Sequence, residues 1–234
     1  TTFLTPLMSP VELLTLDNFR LLFEYPEYVR SIVNSTLIAV LGGAAATVFI
    51  ALVAIVAHRS PFRFAKQLEF IALAPRAVPG IVASIGLFWA MQLLPLVDLL
   101  YGTVWILMLA FTMRAIPTAY GAIAPSLFQI AKELDLGARS CGADWWTTSW
   151  RIVLPLLKPA LFSAYVLLFL SFMKEYSSAV FLFAPGSEVI GTTMLSFWGN
   201  GDTGPVSALS VIQLAITALF VLFARILLRT HRDG

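Results

Sequence analysis

Long apolar runs separated by short polar intervals set the pattern of this chain. Residues 33–57 carry no charge, enough to cross a hydrocarbon core about 30 Å thick. Further runs at 70–94, 101–120, 160–179 and 206–228 predict four more membrane spans. Small residues at Gly42, Gly43 and Ala44 to Ala46 allow close helix approach in the first span. The second opens on Pro75, Arg76, Pro79 and Gly80 and closes at Pro95 and Asp98. Proline removes a helix hydrogen bond, so the break should be buried in protein or line a cavity. Residues 1–30 hold Pro6, Pro10 and Pro26 with four acids, and predict an external segment with a short surface-lying helix.

Composition agrees. Hydrophobic residues make up 59% of the 234 and charged residues 12%, against about 25% charged in soluble domains. Mean hydropathy is +0.87. The fold class is therefore an all-α polytopic membrane protein. A net charge of +2 gives no reason to expect a nucleic-acid partner. Cys141 is the lone cysteine, and His58 and His231 have no ligand-spaced neighbours, so neither an internal disulfide nor a metal site is predicted.

Charge placement orients the spans. Arg59, Arg63, Lys66, Arg76, Lys132, Arg139, Arg151, Lys158, Arg225, Arg229 and Arg232 flank one side; Arg20 and Arg30 flank the other. The positive-inside rule makes the first set cytoplasmic, with residue 1 outside and the C-terminus inside. Exporting residue 1 calls for an earlier span, so at least one helix is expected before Thr1.

Residues 133–159 form the longest polar interruption, with both charge signs, two glycines and three tryptophans. Ile130, Leu134, Ala138 and Cys141 recur at roughly helical spacing as an apolar stripe. Gly142 suits a left-handed helix end, and Asp144 a following N-cap. The next helix carries Trp145, Trp146 and Trp150, with Pro155 as its stop. Composition alone describes an interfacial helix pair.

The order of residues adds more. Gly142, Ala143, Leu154, Pro155 and Pro159 resemble the Glu-Ala-Ala loop of type I ABC importer permeases, the MetI-like transmembrane domains. Leu136, Gly137 and Ala138 stand at the triplet, so its glutamate is absent; Arg139, Asp144 and Trp146 share the segment. The resemblance implies coupling helices at about 130–158, within a permease domain over 31–234. They would dock on a cytoplasmic ABC ATPase dimer that holds the ATP and magnesium. It also implies a second permease half, an extracytoplasmic substrate-binding protein and a bacterial inner-membrane location. Lys174 to Ser178, Ala184-Pro185-Gly186 and the 201–205 segment look most like ferric iron permeases. Permeases for polyamines, phosphonates, thiamine and sulfate share the general pattern.

Arg114, Lys174 and Glu175 fall inside predicted spans, where charge is costly and faces a bundle interior or a water-filled path. Adjacent helical positions project about 100° apart, so Lys174 and Glu175 do not pair with each other. An Arg114–Glu175 bridge and a path-lining role both remain open. Tyr176 and Ser177 join these as translocation-path candidates. No phosphate-cradling glycine loop and no catalytic constellation appears, so the chain itself is not read as an enzyme. A stand-alone secondary transporter would call for repeats that the sequence does not show, and a purely structural subunit leaves the spacing from Gly142 to Pro159 unexplained.

Overall fold

A computed structural model describes residues 16–61, 63–93 and 100–230, with side chains through 226. Pro95, Asp98, Arg229, His231, Arg232 and the prolines before residue 16 lie outside the described residues or side chains. Among the described residues every regular element is helical. Four helices are long and apolar enough to cross a membrane, and a sharply bent pair makes a fifth if its two arms together count as one span.

The first helix, α1 (Asp17–Glu24), buries Leu22 against Phe197, Ala208 and Leu209. Next, α2 (Pro26–Arg59) starts seven residues before the predicted edge at residue 33. Pro26 sits in its first turn, where a missing N–H costs nothing. The polar residues that suggested a later start are satisfied. Arg30 pairs with Glu188 at 3.0 Å, and the Asn34 amide donates to the Gly186 and Glu188 carbonyls. A π-helical turn at Ile38–Gly42 precedes the small residues. A Cβ on Gly42 would lie 2.7 Å from the Met108 side chain, so glycine permits this close crossing.

The second crossing differs from its predicted form. Helix α3 (Ala65–Ala77) ends in a 3-10 turn, and α4 (Gly80–Gln92) leaves it at 112°. Each arm is about 20 Å long, too short to span alone. The break expected at the cytoplasmic start of a span is thus an elbow between two half-length arms. Arg76, counted above among cytoplasmic flanking charges, sits at that elbow.

Helix α5 (Val104–Gln129) runs well past the predicted end at residue 120. Pro117 and Pro125 lie inside it, while buried Ile123, Ala124 and Leu127 hold the final turns. After α6 (Glu133–Ser140), helix α7 (Trp145–Met173) runs on without a stop. Pro155 does not end it. A π-helical segment at Ser149–Val153 precedes the proline, and Pro155 occupies the opening turn of the α-helical stretch that follows. The change of hydrogen-bond register places the missing N–H at a junction. The core lies where α2, α5 and α7 meet, around Ile50, Leu107, Phe111, Leu168 and Phe172. The Phe111 and Phe172 rings meet edge to face at 5.8 Å.

The predicted span over 160–179 ends early, at Met173. Lys174 and Glu175 follow the helix and are not on it. The Glu175 carboxylate accepts the Ser178 amide, which gives the chain a turn in place of another helical bond. The polar interval between the predicted spans at 160–179 and 206–228 contains α8 (Ile190–Asn200), whose Thr192 hydroxyl accepts the Val189 N–H. Gly201, at φ +83°, ends α8 in the left-handed region that favours glycine. Helix α9 (Thr203–Thr230) completes the chain.

Candidate functional site

Two places concentrate function-bearing residues: the turn between α6 and α7, and the elbow between α3 and α4.

The turn is built around Gly142, whose φ of +82° makes the left-handed end foreseen from its sequence. Asp144 then caps α7, its Oδ1 accepting the Thr147 amide at 2.9 Å. Hydrogen bonding from Thr147, through side chain and amide, holds the Asp144 carboxyl below its ordinary range. Ala143 donates its amide to the Ala138 carbonyl at 3.0 Å and closes the turn.

The apolar stripe is split. Leu134 and Cys141 are exposed, as are Leu136 and Gly137, while Ile130 packs against the core and Ala138 is half-buried. Asp135 is half-buried beside them. Trp146 and Trp150 remain 54% and 48% exposed and meet edge to face at 5.7 Å. The segment therefore carries an aliphatic and aromatic outer face with no cover among the described residues. Of the other residues that carried the resemblance, Leu154 is half-buried, and Pro155 and Pro159 lie along α7.

Arg59 secures the inner face, and sequence reading gave it only a flanking role. Its side chain is 4% exposed. Nη1 donates to Asp135 Oδ2 at 2.8 Å, and Nη2 donates to the Leu127 and Ile130 carbonyls. The Trp145 indole N–H donates to the Arg59 carbonyl at 2.9 Å. One residue at the end of α2 thus ties together the end of α5, helix α6 and the start of α7. The sequence signal was faint: a single arginine closing a long apolar helix.

At the elbow, Gly80 allows α4 to approach Arg114 on α5. A Cβ there would lie 1.6 Å from Arg114 Nη1 and 2.5 Å from Ser177 Oγ. Arg114 Nε pairs with Glu175 Oε2 at 3.1 Å, so the bridge left open by the sequence is made. Arg114 Nη1 donates to Ser177 Oγ at 3.1 Å. Ser177 in turn donates to Glu175 Oε1 at 2.6 Å, which also accepts the Ser178 amide and hydroxyl. Both carboxylate oxygens are occupied by protein donors. The Ser84 hydroxyl lies 2.8 Å from the Gly80 carbonyl and 2.9 Å from that of Ser178. Tyr176 is exposed beside this cluster, and Lys174 is exposed with no side-chain partner among the described residues.

Two adjoining cavities share Arg114 and Thr118. One, of about 450 Å³, is lined by Pro75, Arg76, Val78, Arg114, Pro117, Thr118 and Gly121. The other, of about 290 Å³, adds Ser171, Lys174 and Glu175. The elbow does line a cavity, as its prolines required. Among the described residues no cluster of His, Cys, Asp and Glu is arranged to hold a metal ion.

Residues 46–232 match the family described as binding-protein-dependent transport system inner membrane component. The chain is 31% identical over 217 residues to ferric transport system permease protein FbpB of Actinobacillus pleuropneumoniae, covering 90% of this chain and 31% of that protein. It is 34% identical over 183 residues to putative ferric transport system permease protein FbpB 1 of Haemophilus influenzae, covering 75% and 28%. The chain thus spans about three tenths of the length of these relatives. Among solved structures, an inward-facing MetNI methionine ABC transporter chain superposes with a TM-score of 0.73 at 15% identity, covering 93% of this chain and 99% of that one.

Proposed function

The chain belongs to the binding-protein-dependent transport system inner membrane component family, and from that premise we propose that it is the permease part of an ATP-driven importer working by alternating access. The uncovered face of the α6–α7 turn carries this reading. Its inner side is fixed to three helices through Arg59, while Leu134, Leu136, Trp146 and Trp150 point outward without cover. Exposed aromatics on a rigid support form an interface anchor. The proposed partner is a cytoplasmic ATPase dimer, which supplies the ATP and magnesium. A second permease half and an extracytoplasmic binding protein complete the assembly.

The continuity of α7 supports the coupling role. The span from Trp145 to Met173 is one helix that starts directly after the docking turn, so a push on the turn would reach the charged cluster as rigid-body motion. The arginines and lysines about the α6–α7 turn support a reading in which it, and residues 59–66, face the cytoplasm, as the positive-inside rule expects. The named relatives are ferric permeases, and ferric iron is the proposed cargo.

The test is reconstitution with the ATPase and binding protein in proteoliposomes, with Gly142 and Ala143 replaced together by valine. ATP-driven uptake and retention of the ATPase on purification should both fall. If both are unchanged, the docking role is wrong.

A further inference from the structure

The cavities at the elbow hold an excess of positive charge. Arg76, Arg114 and Lys174 line them, and Glu175 is the one carboxylate. That carboxylate is spent within the protein on Arg114, Ser177 and Ser178. Glu175 therefore offers a passing cation only a carboxylate whose charge is already paired with Arg114. Arg76 and Lys174 are exposed and lack side-chain partners among the described residues. Arg114 lies roughly 15 Å along α5 from its start, so the cluster is deep in the span. Unpaired charge at such depth persists only where water or an ionic ligand reaches it.

Building on the permease reading, we propose that the elbow cavities form an anion-selective stretch of the translocation path, and that the cargo crosses as a small net-negative solute. Iron then crosses as a ferric ion carrying excess oxygen-donor anions, not as a bare cation. The 450 Å³ cavity falls in the size range of small-molecule sites. Arg76 and Lys174 attract it, while Arg114 is held by Glu175 as the fixed floor between the two cavities.

The experiment reads local charge preference without turnover, in the assembled transporter in proteoliposomes. In a Cys141→Ser background the introduced Thr118→Cys is the only thiol in this sequence. Its reaction with an anionic sulfonate thiol reagent is timed against a trimethylammonium reagent of similar size, each referred to its rate with free thiol. Val78→Cys serves as a second position. The anionic reagent should react at least tenfold faster, and Arg76→Gln with Lys174→Gln should bring the two rates near parity. Arg76→Lys should keep the preference. Parity or a cation preference in the parent, or a preference that survives the double substitution, overturns the proposal. Slowing of labelling by molybdate or citrate alone assigns a free oxyanion. Slowing only by ferric iron in excess citrate assigns the metal complex. Slowing by none of them contradicts the proposal. A transporter that shows this preference yet never moves any cargo with ATP fails the permease reading instead.

Discussion

A methyl group at position 80 would overlap the Arg114 guanidinium, because a Cβ there lies 1.6 Å from Nη1. The guanidinium is the far end of a flexible side chain, so Gly80→Ala should fold with Arg114 displaced. ATP-driven uptake should drop about tenfold, equivalent to 1.4 kcal/mol, with little change in thermal unfolding. Glu175→Gln tests the same cluster from the other side. It leaves the Arg114 charge uncompensated, and because Arg114 is partly exposed the loss of stability should be about 1–2 kcal/mol. Unfolding in detergent measures it, and Arg114→Gln with Glu175→Gln together should recover part of the loss. A third residue reads out in pH. Burial pushes the Glu188 carboxyl up, but bonds from Arg30 and the Gly186 amide outweigh it and leave the carboxyl below its ordinary value. Its contribution is present above the unfolded value, about 4.3, and disappears as pH falls through the lower folded value. Amide protection factors across residues 184–190, corrected for intrinsic exchange at each pH, should therefore fall only at acid pH, and Glu188→Gln should remove that fall. The Arg114–Glu175 bridge was one of two readings open in the sequence. Its accompanying serines were not foreseen as partners, because a helix was expected where the Glu175 turn forms.

Helix α6 is held through one buried guanidinium. Removing it in Arg59→Ala strands Asp135, which is 20% exposed, and frees the Leu127 and Ile130 carbonyls. The cost should be about 3 kcal/mol, read as faster hydrogen exchange in α6 while the α2–α5–α7 core stays protected. Gly142→Ala acts differently. A Cβ there meets nothing within 4 Å, so the penalty is purely that of a left-handed backbone, about 1–2 kcal/mol. Gly142→Asn should cost less, since asparagine tolerates that region. These two elements also show where pattern reading succeeds. The Gly142 turn and the Asp144 cap are local chemistry and were legible. Arg59 and α8 were not. The partners of Arg59 lie 68 to 86 residues away, and α8 has glycines and polar residues that resemble a loop until Ile190 and Phe197 are seen buried. Pro155 misled for a related reason: a π-helical segment upstream lets the helix absorb it.

Across the chain as a whole, apolar run length located the four long helices and the bent pair, but edges drifted where a hydrogen bond, distant or local, satisfied a polar group. Arg30 and Glu188 extend the first crossing; Glu175 and Ser178 shorten the fourth. A turn whose outer face is exposed leads into α7, which runs to the cationic cavity at the elbow. Under the proposed function this arrangement acts as a lever, with α7 as the route from the turn to the path and Arg59 as its brace.

The central claim is that the α6–α7 turn docks on an ATPase. Cys141 is exposed within that turn and is the single cysteine of the sequence. A photoactivatable cross-linker placed on it, in membranes that hold the complete transporter, measures what the turn touches. The account predicts that the captured chain is the ATPase subunit, with a yield that changes when ATP is added. Capture of no ATPase at Cys141, while the same reagent on Thr203→Cys in a Cys141→Ser background does capture it, would contradict the account.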